Sequence, residues 1–319
     1  MSMNIIGAGM AGLLAGQMLK RHSPVILQAQ PALPNNHSAV LRFGSSTIGD
    51  LLGIPFRPVK MIKAHLPWQN KVADVLSYSI KCSGVARSDR SIIRESQGET
   101  RWIAPDNLIS RMAEGLDIEF NNKVVSLISR MPTSVSPIIS TIPMPFLMQA
   151  LNFDTTGVKF EYVSGANLRM KIPNCDAYVS LYVPDPKLKF NRISITGNEL
   201  IAEYAFPGLE PSFLQSSIDR LNPFNEADAA LDLLGFPHWS SEVMGLNPTL
   251  TPQKYSKILP IDDGLRRRFL GFATDKFNIF SLGRFATWKP GLLLDDLVQD
   301  IRQIEKWSSS DRYSMRFKR

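Results

Sequence analysis

The chain has 319 residues, 44% of them hydrophobic and 20% charged, and a formal net charge of +7. That balance excludes a disordered chain, and the length suits roughly two domains with cores large enough to need no covalent staples. Two cysteines exclude a disulfide scaffold, and four histidines with no CxxC, HxH or HExxH spacing exclude a structural zinc site.

The positive charge suits contact with an anion, whether a nucleotide, a sugar phosphate or a nucleic acid, although basicity of this size does not demand one. No run of about 20 apolar residues occurs, so no transmembrane helix and no membrane partner are expected. Ile5 to Gly16 is apolar, but Met1 to Asn4 carry no Lys or Arg ahead of it, which argues against a signal peptide. The cysteine usage fits a reducing cytoplasm.

Residues 3–6 read as a short strand that runs into Gly7-Ala8-Gly9-Met10-Ala11-Gly12 and then a helix ending near Lys20-Arg21. Pro24 stops that helix, and Val25-Ile26-Leu27 forms a second strand. Each glycine has a mechanical reason. Gly7 permits a tight turn, Gly9 lets the backbone approach a pyrophosphate, and Gly12 allows close packing of helix on strand. The helix N-terminus offers N–H groups and the positive dipole end to the phosphates. Strand, loop, helix and second strand together make this a dinucleotide-binding unit. One feature departs from the pattern. The second strand ends in Gln28 or Gln30, of which Gln28 is preferred, where an acidic residue usually meets the ribose hydroxyls. An amide still exchanges hydrogen bonds with hydroxyls but loses the charge-assisted part. No Arg follows at once, so a 2′-phosphorylated cofactor is not favoured.

His37, Arg42 and the Gly44-Ser45-Ser46 turn form a polar loop after the second strand that could close over a cofactor, with Arg42 as a phosphate or substrate ligand. Residues 60–101 are basic and irregular, with Lys60, Lys63, Lys71, Lys81, Arg87, Arg90, Arg94 and Arg101 but few aromatics, and read as a solvated face rather than a nucleic-acid groove. Residues 102–112 read as a turn into a helix with Asp106 as N-cap, and 117–129 as a strand. Ile138-Ile139-Ser140-Thr141 is a buried strand closed by Pro143 and Pro145, which returns the chain to the first sheet. Residues 158–206 alternate as an antiparallel meander, with Gly197-Asn198 as a hairpin turn, and 211–235 show helical spacing. Residues 277–282 form a strand, 283–291 a loop, and Leu292 to Lys306 a helix with Asp295 and Asp296 in its first turn.

The Gly7-x-Gly9-x-x-Gly12 start, with Gly283-Arg284-x-x-Thr287-Trp288-x-x-Gly291 before the late helix, resembles the FAD-binding flavoenzymes of the amine oxidase and UDP-galactopyranose mutase type. The Ser140-Thr141-Ile142-Pro143 strand end is similar to that family's middle segment. The resemblance implies a two-domain α/β protein: a Rossmann-like FAD-binding domain with a parallel sheet, and a second α+β substrate domain containing an antiparallel sheet. The first would comprise 1–58, 102–148 and 255–308, the second 59–101 and 149–254, followed by a basic tail at 309–319. It implies that Gly7, Ala8, Gly9, Met10, Ala11 and Gly12 hold the FAD pyrophosphate and that Gly283 and Arg284 reach it from the other side. Gly291 and the amides of Leu292 and Leu293 would lie near the flavin pyrimidine edge, and Trp288 would form an aromatic wall beside the ring or, on the plainer reading, an interdomain core residue. Tyr255, Lys257 and Arg268 lie where two domains should meet and are candidates to bind substrate or else surface residues; no catalytic acid or base stands out. FAD would be non-covalent, since no Cys or His sits in an attachment motif. The implied activity is hydride transfer to flavin from a C–N bond of an amine or amino-acid-like substrate, free or attached to a nucleotide or modified nucleic-acid base, with oxygen or another electron acceptor. A mutase acting on a nucleotide sugar and a non-enzymatic nucleotide-binding protein are the alternatives.

Overall fold

The first elements are β1 (Asn4–Ile6), α1 (Met10–Met18) and β2 (Val25–Leu27). They form a parallel β–α–β unit in which Asn4 pairs with Val25 and Ile6 with Leu27. The computed structural model describes residues 3–34, 37, 41–88, 96–122, 136–236, 242 and 244–309. Helix α1 buries Leu13, Leu14, Ala15 and Gly16, and its small residues let it lie close against the sheet.

After α2 (Thr47–Leu52) the chain forms β3 (Arg57–His65), α3 (Lys71–Ser83) and β4 (Ser96–Ile103). The basic stretch read as irregular is therefore regular structure; Arg90 and Arg94 lie outside the described residues. Asn70 caps α3 by accepting from the Ala73 N–H at 3.0 Å, and Gly84 ends it in the left-handed region at φ +73°. Helix α4 (Leu108–Ala113) follows, but Asp106 does not cap it; its carboxylate faces Lys171 at 3.2 Å instead. Strand β5 (Asp117–Glu119) is short, and residues 123–129 of the expected strand lie outside the described residues.

Strand β6 (Ile138–Ser140) returns beside β1, with Ile6 opposite Ser140, and leads into α5 (Met144–Ala150). The meander follows as β7 (Tyr162–Lys171), β8 (Tyr178–Tyr182), β9 (Phe190–Thr196) and β10 (Glu199–Phe206), then α6 (Leu214–Asp219), α7 (Pro223–Leu233) and β11 (Thr249–Ile258). Gly197, at φ +64°, makes the β9–β10 turn. Helix α8 (Asp263–Phe277), β12 (Ile279–Ser281) and α9 (Leu294–Ser308) complete the described chain. The basic tail from residue 310 lies outside it.

Two sheets result. The first has the order β12-β6-β1-β2-β5, parallel throughout. Strands β1, β2, β6 and β12 are covered on both faces, which is why they read as apolar runs, whereas the edge strand β5 is largely exposed. Ile5, Ile139 and Phe280 face a core shared with α1, α4 and α9, while Ile6, Ile138 and Ile279 face one shared with α5 and α8. The second sheet has the order β11-β7-β10-β9-β8-β3-β4, antiparallel except for the parallel β3–β8 pair. Leu168, Met170, Ile193, Leu200 and Tyr204 pack on α6 and α7 on one face. The opposite face carries Asn167, Ser180 and Ser194, all buried. Among the described residues no helix is long and apolar enough to cross a membrane. The fold is thus a Rossmann-like α/β unit joined to a second α+β unit built on a largely antiparallel sheet.

Candidate nucleotide and substrate site

At the carboxyl end of β1 the backbone turns sharply. Gly7 has φ +96°, and its N–H donates to Leu27 O at 2.9 Å. A Cβ on Gly12 would stand 1.9 Å from Gly7 O, so the first turn of α1 touches the loop and admits only glycine there. Gly9 is different: a Cβ on it would meet nothing within 4 Å. No packing contact therefore requires a glycine at position 9. Gly9 is also the N-cap of α1, and no side chain caps that end. A helix N-terminus with open N–H groups beside a bare glycine backbone fits a pyrophosphate. Ala8 and Met10, by contrast, point into the core.

The second junction lies against the first. Gly283, at φ +96°, sits where a Cβ would approach the Ala11 Cβ to 3.2 Å. Arg284 is exposed and donates through Nε to Leu292 O at 3.0 Å, tying the two ends of the 283–292 loop. Gly291, at φ +82°, has open space around it. The amides that follow are not available as expected. Leu293 N–H donates to Asp296 Oδ2 at 2.8 Å, and Leu292 N–H points at Lys289 O at 3.4 Å. Helix α9 begins at Leu294, two residues later than expected. Two first-turn carboxylates already occupy the positive end of that helix, Asp296 on Leu293 and Asp295 on the Gly44 N–H at 3.0 Å. The expectation that Leu292 and Leu293 present free amides to a flavin edge is corrected accordingly.

Gln28 sits directly after β2 and accepts from the Ala8 N–H at 3.2 Å. Two other expectations are corrected by burial. Arg42 turns away from the nucleotide loop into the second sheet. Its guanidinium donates to Ser180 Oγ at 2.7 Å, Val179 O at 3.0 Å, Ile195 O at 2.9 Å and Thr196 Oγ1 at 3.2 Å. Burial there lowers its pKa to about 10, with Arg192 adding to the effect and Glu203 opposing it. Trp288 has no exposed surface. Its indole N–H donates to Leu259 O at 2.9 Å, and its ring meets Phe160 and Tyr255 edge-on at 4.9 Å and 5.8 Å. It is a core residue between the two sheets, with no face left for a flavin ring.

Tyr255 lies on β11, half-buried, with its phenol raised to about 12 by burial and by Tyr162. Lys257, two residues on, places its ammonium 5.6 Å from the Tyr78 ring centre. Arg268 is exposed on α8. Tyr255 thus packs on the core shared by the two sheets, while Lys257 lies against α3.

A cleft of about 410 Å³ opens at the lower end of the second sheet, lined by Arg57, Asp106, Asn174, Tyr178, Thr196 and Asn198 among others. A narrower crevice of about 80 Å³ adjoins it through Ile103–Asp106, bounded by Leu41, Leu108 and Ile109 from the first unit and by Arg169 and Glu199 from the second. Arg169 pairs with Glu199 at 2.7 Å and also donates to His37 O at 2.6 Å. A cleft of this size matches an ordinary small-molecule site. Deeper in the same sheet face, Arg192 forms a two-pronged pair with Glu203. Burial alone would lower the Arg192 guanidinium, but the Glu203 carboxylate overrides it and holds the cation firmly charged. Sequence reading missed this layer because alternating polar residues on a meander look solvent-facing. The available signal was symmetry: Arg192 and Glu203 lie opposite each other across the Gly197 turn.

A parallel sheet with a glycine-lined loop after its first strand, joined to a second, largely antiparallel sheet, defines a Rossmann-like α/β fold. Similar architectures occur among solved structures. A Pyrococcus furiosus protein superposes with a TM-score of 0.52 at 14% identity, covering 98% of this chain and 100% of that one. The tetrameric form of 2-methyl-3-hydroxypyridine-5-carboxylic acid oxygenase superposes at 0.55 with 12% identity, covering 99% of this chain and 84% of that one. An oxidoreductase from Methanosarcina mazei superposes at 0.54 with 9% identity, covering 96% and 100%. No protein-family model matches the sequence, and no curated protein does.

Proposed function

We propose that the protein is an FAD-dependent oxidoreductase that holds a small molecule in the cleft at the end of its second sheet. The observation that carries this is the apposition of the Gly7–Gly12 and Gly283–Leu293 junctions, from two ends of the chain, at Ala11. The likeness in fold to an oxygenase and an oxidoreductase supports it. Bound FAD would supply hydride or electron transfer, and the protein supplies position and electrostatics. The open end of α1 would hold the pyrophosphate, Gln28 the adenosine ribose, and Arg284 would bring a cation to the far junction. Non-covalent attachment and a division of the chain into 1–58, 102–148 and 255–308 against the remainder belong to this reading, with the boundaries at 58, 102 and 255 moved to keep β3, β4 and β11 whole in the second unit.

The residues of the adjoining crevice have separable tasks. Leu41, Ile103, Leu108 and Ile109 exclude water. Arg169 and Glu199 present a paired charge that can orient a polar substrate without an uncompensated buried ion. For the reaction itself, oxidation of a C–N bond in an amine or amino-acid-like substrate is the finer reading, carried by the resemblance of the two glycine loops. Oxygenation of a small ring compound is the second reading, favoured by the fold shared with the pyridine-ring oxygenase.

The test is spectroscopic. Purified protein is titrated with FAD, and the loaded protein is mixed anaerobically with amines and, separately, with NADH or NADPH. Bleaching by an amine supports C–N oxidation. Bleaching by the nicotinamide, followed by oxygen uptake that depends on an added ring compound, supports oxygenation. Turnover of a UDP-sugar only after dithionite supports the mutase chemistry, and a flavin spectrum that no donor changes supports a binding-only protein. Failure to take up FAD overturns the proposal.

A further inference from the structure

We infer that the cleft takes a small monocarboxylate with an apolar body, held by Arg57 in place of the Asp176 carboxylate. The inference rests on the reading of that cleft as the small-molecule site and names the chemistry of its occupant.

Arg57 opens β3 and lines the cleft. Its Nη2 donates to the Tyr178 phenol oxygen, and its Cζ lies 5.2 Å from the centre of that ring. Tyr178 is buried, so this contact fixes one edge of the guanidinium. The other edge is held loosely. Nη1 meets Asp176 Oδ1 at 3.4 Å, longer than an ordinary charge-assisted bond, and both side chains are more than half exposed. Asp176 comes from residues 172–177, which lie along the β9–β10 turn. There the Ile172 N–H donates to Asn198 O at 2.9 Å and the Gly197 N–H to Ala177 O at 3.0 Å. The segment thus presents a carboxylate to Arg57 through a contact that solvent screens. Another carboxylate, arriving from the cleft, displaces it at little cost.

The rest of the lining sets the charge and shape of the ligand. Arg57 and Asp106 are the charged residues on the cleft wall, and Asp106 is already matched by Lys171 at 3.2 Å. With Asp176 displaced, Arg57 balances one negative charge. A phosphate dianion calls for a second cation, and among the described residues no other lines the cleft. A planar carboxylate matches the guanidinium fork. The Tyr178 ring, Pro55, Ile103 and Pro105 give the body of the ligand an apolar wall. The exchange swaps one carboxylate for another on the same cation. The freed Asp176 stays in water, where its side chain is already 82% exposed.

The experiment measures dissociation constants by calorimetry for benzoate, pentanoate, benzamide and phenylphosphonate. It uses the full chain without FAD, as wild type, Arg57→Gln and Asp176→Asn, with thermal melting to establish equal folding. The wild type is expected to bind a carboxylate probe, and Arg57→Gln to bind it at least about tenfold more weakly, the scale of one charge-assisted pair lost. Asp176→Asn is expected to bind the same probe about two- to fivefold more tightly, because the competing group has lost its charge. A purely structural pair would instead weaken binding in both variants. Benzamide should bind all three proteins more weakly than benzoate binds the wild type. Carboxylate affinity unchanged in Arg57→Gln, or not raised in Asp176→Asn, overturns the inference. So does benzamide or phenylphosphonate binding the wild type as tightly as benzoate, or the failure of both carboxylates to bind. A protein that binds benzoate in this way but takes up no FAD overturns the flavin reading and leaves the carboxylate site standing.

Discussion

Gly283 faces Ala11 so closely that a Cβ on the glycine would stand 3.2 Å from the alanine methyl. Two segments from opposite ends of the sequence meet there without a side chain to spare. Gly283 also has φ +96°, where other residues are strained. Gly283→Ala is therefore expected to destabilise the protein by about 2 kcal/mol and to weaken FAD binding as the two junctions part. Chemical denaturation and a flavin titration measure both. Unchanged stability would mean that the junctions are less tightly apposed than described.

Gly9 and Gly12 separate packing from ligand binding. Gly12→Ala drives a methyl into Gly7 O and should cost about 3 kcal/mol or more, because the obstacle is backbone. Gly9→Ala meets only open space and has an ordinary φ of −72°, so its cost to stability should stay below about 1 kcal/mol, the scale of an N-cap change. Its effect on FAD affinity should nevertheless be at least tenfold. A Gly9→Ala protein that binds FAD normally would remove the reason for the bare backbone at that point.

Trp288 tests the correction made to its role. Trp288→Phe deletes the bond to Leu259 O and leaves a gap beside Phe160 and Tyr255, at a cost of about 2–3 kcal/mol. The visible spectrum of bound FAD should not move. A shifted flavin band with normal stability would return Trp288 to the role of an aromatic wall.

Lys81 confers a pH dependence of known sign. Its ammonium donates to Val183 O at 3.1 Å and Asp185 O at 2.7 Å, and burial lowers its pKa from the ordinary 10.5 to about 8. The folded chain thus holds this proton less tightly than the unfolded chain. Below about pH 8 the native state carries a partly desolvated charge, and between about pH 8 and 10.5 the unfolded state binds more protons, so Lys81 favours folding increasingly as pH rises through that window. Urea midpoints at pH 7, 9 and 10.5 should show the wild type gaining on Lys81→Met. A constant gap across that range would contradict it.

What the sequence disclosed was whatever six or so neighbouring residues determine by themselves. The glycines at 7, 9 and 12 answer to local backbone demands, and the Gly197-Asn198 turn fixes the β9–β10 register, with Thr196 opposite Glu199. Ile138 and Ile139 announced a strand covered on both faces. Helix α3 was missed, although Asn70 and Gly84 cap it and Val75, Tyr78 and Cys82 share its buried side, because the surrounding basic residues masked that period. The fates of Arg42 and Trp288 were not local. Each is decided by partners more than 25 positions away, the carbonyls of Val179 and Ile195 for one and that of Leu259 for the other. The expected amides at Leu292 and Leu293 are taken by neighbours in the chain, that of Leu293 by Asp296 and that of Leu292 by Lys289 O.

The order of the first sheet bears on how the protein is made. Strand β6 lies between β1 and β12, and Arg21 reaches Glu305 across 284 positions of sequence. While the ribosome is still extending the chain, β1 and β6 would wait with an open apolar margin until the final helix emerges. Such a topology keeps the first sheet from closing until β12 and α9 have been made, and it exposes nascent chains to aggregation until then.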